Sequence, residues 1–167
     1  MLMIGGYMSF SGIDGKARYG VSPLADVLPV KMLASDDRVE IPEGFLAEVT
    51  EKDHPALAGV PTGWPPLLGY NRVRTKPDAT VLVVRGEDPI LVVGSVGRGR
   101  AAAFMSDLAP HWAPPEFIGW PGYGLLWTSL LGWLARGDVP SNRPVAATAS
   151  EPTPLANRGG RCGGHDE

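Results

Sequence analysis

Apolar positions in this chain come in short bursts, and only near the end in one long stripe. Residues 1–4, "MLMI", form a continuous apolar run broken by Gly5-Gly6, which predicts a strand leaving through a glycine turn. The polar, glycine-bearing stretch from Ser9 to Pro23 predicts a loop too long for a simple turn, of the kind that often carries function. Ser22 ahead of Pro23 predicts a helix start, giving a short helical turn and then a brief extended segment. From Asp36 to Val60 short extended pieces alternate with turns, and "DHPALAG" suits one turn of helix ended by Gly59.

From Gly69 onward the periodicity sharpens. "YNRVRT" (70–75) alternates as a half-exposed strand, and "TVLVVR" (80–85), "PILVVGS" (89–95) and "GRAAAFMS" (99–106) are further strands. "RGEDP" predicts a turn between the second and third of these, and "VGRGR" a glycine-supplied hairpin loop between the third and fourth. The long stripe is "GYGLLWTSLLGWLARG". In it Tyr123, Leu126, Trp127, Leu130, Leu131 and Leu134 recur at helical spacing, and Arg136-Gly137 marks the stop. After Pro140 periodicity and most bulky residues are lost, so 1–139 is expected to be one domain and 140–167 a disordered tail. Strands and helix would pack as layers of an α/β fold.

Charge and cysteine usage narrow the function classes. A formal net charge of −3 offers no general pull on nucleic acid or acidic membranes. No apolar run approaches the ~20 residues of a membrane span, and "MLMI" is too short for a signal-peptide core. The single Cys162 rules out an intrachain disulfide, and a cytoplasmic setting is expected.

Chemistry has few places to reside. The glycine turn at Gly5, Gly6 and Tyr7 follows a strand, where hydrolases and amidotransferases display a nucleophile, but none of the three is a serine or cysteine. Ser9 and Ser11 lie just beyond and offer hydroxyls to a ligand; equally, the glycines serve only to permit a tight bend. "SDLAPHW" follows a strand and carries Asp107 four residues before His111, a spacing that suits a base with its orienting carboxylate. The alternative is that His111 and Trp112 pack a proline-rich loop against the sheet. His54 reads as a turn residue bonded to nearby backbone, and Arg72 and Arg74 as a solvated strand edge. Trp64 and Trp120 read as lids on the core. "GIDGKARYG" and "GSVGRGR" lack the context of nucleotide-binding loops, and Cys162 with His165 is too few ligands for zinc. No cofactor or metal is expected.

"LMIGGYMSFSGIDGKARYGVSPLADVLPV", "DHPALAG", "WPPLLGYNRV", "ILVVGSVGRGRAAAFMSDLAPHW" and "LLWTSLLGWLA", in that order, resemble the family of putative glutamine amidotransferases. That family is related to the class I glutamine amidotransferase superfamily and to trehalose-utilisation-like proteins. The resemblance spans residues 1 to about 136 and implies a flavodoxin-like α/β sandwich with a mainly parallel sheet. Relatives carry a further N-terminal half, so the chain is expected to correspond to the C-terminal portion of such a protein.

Active class I enzymes hold a cysteine at the strand-exit elbow, which the resemblance places at Gly5 to Tyr7, and a histidine that His111 resembles. With no thiol at the elbow, the cysteine-dependent glutaminase reaction is not expected. The pocket would lie between the glycine turn and the "SDLAPHW" loop, lined by Tyr7, Ser9, Ser11, Asp107 and His111, and would suit a small polar or carbohydrate-like ligand. Two other readings stay open: a hydrolase or amidotransferase using His111 with a serine or water, and a structural or oligomerisation domain. As partners, a second copy of the chain or the missing N-terminal half is expected.

Overall fold

The structure is a computed structural model and describes residues 1–136. The tail expected over 140–167, with Cys162 and His165, lies outside the described residues, as does Gly137 of the helix stop.

The chain forms an α/β fold. Its strands are β1 (Leu2–Ile4), β2 (Val30–Met32), β3 (Arg38–Phe45), β4 (Glu48–Val49), β5 (Leu67–Asn71), β6 (Val73–Thr75), β7 (Thr80–Arg85), β8 (Asp88–Val96) and β9 (Gly99–Phe104). Its helices are α1 (Leu24–Val27), α2 (Pro115–Ile118) and α3 (Pro121–Arg136). A five-stranded sheet runs in the order β1-β9-β8-β7-β4, and β2-β6 and β3-β5 form two separate ribbons.

Only β1 and β9 pair in parallel; every other pairing is antiparallel. The mainly parallel sheet implied by the resemblance is therefore not what residues 1–136 form. The reason is local. β7, β8 and β9 follow one another through two-residue turns, too short for the crossover that parallel neighbours need. Gly86 (φ 56°) and Gly97 (φ 57°) supply the left-handed residue each turn requires.

β8 is the centre of the core, with Ile90 to Val93 buried on both faces of the sheet. Beside it Ala101 to Phe104 of β9 are also buried. α3 lays Leu126 and Leu130 into the core, with Tyr123, Trp127 and Leu134 partly buried around them. Leu131, expected in the same stripe, is 51% exposed, and Trp133 turns inward instead to receive the Arg100 guanidinium 4.7 Å from its ring centre. Trp64 is buried against Phe117 and Trp120, as a core lid should be.

The run 70–75 is not one strand. Asn71 N–H donates to Met105 O (2.9 Å) and Arg72 N–H to Asp37 O (2.6 Å), so the chain changes partners at Arg72 and divides into β5 and β6. Arg72 is not simply solvated either: its Nε sits 3.1 Å from Asp88 Oδ2, which also accepts from the Tyr70 hydroxyl at 2.5 Å. Burial, then the bond to Asp88, pushes the Tyr70 phenol above its ordinary value.

His54 holds the turn read from "DHPALAG": its Nδ1 accepts from Ala56 N–H at 3.1 Å as the cap of a 3-10 turn over Pro55–Leu57. Burial lowers its pKa below the ordinary value near 6.5. The unfolded chain therefore takes up this proton first, and the associated stability is lost as pH falls from about 6.5 through the lower folded value. Denaturant midpoints of the native chain should drop across that window, and His54→Asn, which keeps a capping acceptor, should flatten that part of the profile.

Candidate functional site at the exit of β1

The candidate site forms where β1 ends beside β9. Gly5 N–H donates to Phe104 O at 2.8 Å, extending the parallel ladder by one residue. A Cβ on Gly5 would fall 2.0 Å from Met105 O and 2.7 Å from Ser106 O, so the strand exit passes too close to backbone for any side chain. Gly6 differs. A Cβ there would have room, 3.7 Å from Ser9 Oγ and 3.8 Å from Asp107 Oδ2, but φ is +142°, where L-residues are strained. The position that faces the Asp107 carboxylate thus has room for a methyl group at ordinary contact distance, while its backbone conformation favours glycine.

The loop beyond is held by groups that sequence reasoning missed. Asp37 is 2% exposed; its carboxylate accepts from Ser11 N–H (2.8 Å), Gly12 N–H (2.9 Å) and Asn71 Nδ2 (2.8 Å). Asn71 Oδ1 in turn accepts from Gly6 N–H at 2.9 Å. Next to it Asp36 accepts from Asp14 N–H and pairs with Arg38 at 2.9 Å, which holds the Asp36 carboxyl well below the usual range. These anchors maintain a loop in which Phe10, Asp14 and Arg18 have φ of 53°, 53° and 58°, each costing roughly 1–2 kcal/mol for a residue with a Cβ. The doublet Asp36-Asp37 reads in sequence only as a turn, and nothing local reveals partners more than twenty residues upstream.

The structure brings Tyr7, Asp107 and His111 together. The Tyr7 ring lies edge-on to His111 with centroids 4.2 Å apart, and the Arg38 guanidinium sits 4.6 Å from its centroid. A hydrogen bond with Glu40 is the main cause raising the Tyr7 phenol above its ordinary value. Asp107 Oδ1 accepts from Leu108 N–H (2.7 Å) and Ala109 N–H (3.2 Å), leaving Oδ2 3.5 Å from His111 Nδ1. Those backbone bonds fix the carboxylate, and the carboxylate in turn faces an imidazole that remains 39% exposed. The carboxylate thus stands beside the ring, whose exposed part can meet a molecule from the solvent side. Trp112 is buried; it packs on the Gly69 backbone and its carbonyl accepts from Leu68 N–H at 2.8 Å.

The serines do not join this group equally. Ser9 Oγ lies near Gly6 and also borders a cavity of about 270 Å³ beside β1. Ser11 is 3% exposed, donates through its hydroxyl to Leu33 O, and borders a different cavity of about 230 Å³ with Arg18 and Met32. Neither cavity reaches Asp107 or His111. Among the described residues there is no thiol, no cluster of three or more metal-ligating side chains, and no helix long and apolar enough to cross a membrane.

The sequence model of the family described as Putative glutamine amidotransferase matches residues 1–136. The chain belongs to that family. Two solved structures resemble it with a TM-score of 0.76: Cytoplasmic Protein STM3548 from Salmonella typhimurium, 47% identical, and Cytoplasmic Protein STM1381 from Salmonella typhimurium LT2, 45% identical. Each match covers 80% of this chain and 54% of the other, so the chain spans about half the length of these two structures. The mmIFT52 N-terminal domain shares the fold at 15% identity, with a TM-score of 0.50 over 83% of this chain and 65% of that one. No curated protein matches.

Proposed function

We propose that this member of the putative glutamine amidotransferase family binds a small polar or carbohydrate-like ligand at the β1 exit, on a flavodoxin-like frame, and does not run the cysteine-dependent glutaminase reaction. The observation that carries this reading is Gly6. A Cβ at the elbow position would be in ordinary contact with Ser9 Oγ and Asp107 Oδ2, yet Gly6 has a φ of +142° and no side chain, so no nucleophile stands there. Around Gly6 stand an aromatic ring (Tyr7), an imidazole facing a carboxylate (His111, Asp107) and a hydroxyl (Ser9), a mixture suited to a ligand rich in hydroxyl groups. A cytoplasmic setting accords with the two Salmonella relatives, both named as cytoplasmic proteins.

Glutamine-dependent ammonia release should stay at background, and Cys162→Ala should leave it unchanged; turnover abolished by Cys162→Ala would sink the reading. A panel of small sugars and polyols, followed by NMR shifts of the His111 imidazole, tests the binding half. One member should move that signal, and Tyr7→Ala should weaken it about tenfold, the value of one lost contact of ~1–1.5 kcal/mol. A panel that leaves the imidazole signal unmoved counts against binding.

A second reading, a hydrolase using His111 with Ser9 or a bound water, draws on the 3.5 Å approach of Asp107 to His111 Nδ1. Turnover lost on His111→Ala but retained by Cys162→Ala would favour it.

A further inference from the structure

Arg72 and Arg74 read in sequence as a solvated strand edge, but the fold sets a third cation against them. β2 and β6 pair antiparallel with Lys31 directly opposite Arg74, flanked by Val30 opposite Thr75 and Met32 opposite Val73. Residues directly opposed in such a pair share a face, with Cβ atoms about 4.5–5.5 Å apart. Lys31 and Arg74 are both exposed, and neither side chain has an ion-pair or hydrogen-bond partner among the described residues. Like charges so placed repel each other across the ribbon. An anion held on this face would turn that repulsion into attraction.

A groove of about 600 Å³ lies beside this pair, a volume in the range of small-molecule sites. Leu33, Val73 and Pro89 give it apolar lining, and Arg72, Arg74 and Thr75 give it polar lining. Arg72 is fixed by the protein itself. Its Nε sits 3.1 Å from Asp88 Oδ2, which also accepts from the buried Tyr70 hydroxyl, and Arg85 Nη1 donates to that hydroxyl at 3.2 Å. The Asp88 charge is thus answered within the fold, while the Arg72 side chain remains 51% exposed. Glu87, on the turn between β7 and β8, also lines the groove, and its side chain has no partner among the described residues.

We propose that this groove binds a small phosphomonoester, its phosphate held by Lys31 and Arg74 and its organic body lying along Leu33, Val73 and Pro89. A phosphomonoester carries about 1.5–2 negative charges near neutral pH and offers three strong acceptor oxygens. Two opposed cations and the Thr75 hydroxyl supply donors to match. Glu87 narrows the class of ligand. A long polyanion laid along the groove would meet its carboxylate, whereas a single terminal phosphate leaves that carboxylate to accept from a hydroxyl on the body. The net charge of −3 likewise gives a polyanion no general attraction to the chain. Tyr7, Ser9, Asp107 and His111 do not line this groove, so it is a site separate from the exit of β1.

Titration calorimetry of the full chain with phenyl phosphate and with glucose 6-phosphate should show saturable binding of at least one, weakening as sodium chloride is raised. Inorganic phosphate should bind more weakly, because it has no body to lie on the apolar lining. Lys31→Gln and Arg74→Gln should each weaken the ester about tenfold, the loss of one charge-assisted contact. Without ligand, both variants should melt cooperatively at a denaturant midpoint no lower than the native chain's, since each removes a like-charge contact. The His111 imidazole signal should stay in place as the ester binds. Absence of saturation with both esters would overturn the proposal, as would an affinity that neither variant changes. Equal affinity for inorganic phosphate, or tighter binding of heparin, would overturn it too, and a His111 signal that moves with binding would place the ester at the exit of β1 instead.

Discussion

Asp37→Ala should destabilise the protein by about 3–5 kcal/mol, read from chemical denaturation. The substitution strips the acceptor from Ser11 N–H, Gly12 N–H and Asn71 Nδ2 at once, all in buried surroundings. A buried donor without a partner costs roughly 1–3 kcal/mol, and three in one network are coupled rather than additive, hence the range. Asn71 also positions Gly6, so the loss should spread to the candidate site: amide exchange should accelerate at Gly6 as well as at Ser11 and Gly12. Asp37→Asn keeps one acceptor oxygen and should lose less. A measured loss below about 1 kcal/mol for the alanine variant would show that the loop is held by packing instead.

Gly5→Ala should be the most damaging single methyl in the glycine turn, at about 3 kcal/mol or more. Its Cβ would meet Met105 O at 2.0 Å, and that segment cannot retreat freely. Met105 N–H is bonded to Ile90 O and Met105 O to Asn71 N–H, both at 2.9 Å, so retreat would break the core ladder and the start of the loop network together. Gly6→Ala meets no such obstruction and pays only for its φ of +142°, about 1–3 kcal/mol. Gly5→Ala should therefore lower the denaturation midpoint more than Gly6→Ala, or abolish cooperative folding. The reverse order would mean that strain at position 6, not close approach at position 5, governs this turn.

The difference between these adjacent glycines bears on what the sequence makes legible. "GGY" after an apolar run signals a turn, and both residues look alike in the string. What separates them is the passage of residues 105–106 beside position 5, a contact a hundred positions away along the chain. Asp107 and His111 were recognisable because their spacing is local and the strand before them is strongly patterned; their approach to 3.5 Å is within the reach of one loop. Ser11 lies near this turn in sequence, yet the positive-φ Phe10 and Gly12 on either side turn it into the Asp37 anchor.

By itself the sequence determined the elements whose cause is local. Continuous β-branched runs specify β7 and β8, glycines specify their two-residue turns, and apolar residues at helical spacing specify α3. The cap at His54 and the missing thiol at the elbow were equally readable, because each depends on residues within a few positions. Only the tertiary structure decided that residues 70–75 divide at Arg72, that the sheet is mixed, and that β1 pairs in parallel with β9. It also decided that Asp37 and Asn71, rather than any residue of the loop itself, hold the candidate site in place. The physical reason is common to all of these. Strand neighbours and buried hydrogen bonds join segments far apart in the chain, and the energy that selects them comes from burial and pairing that exist only once the layers have packed.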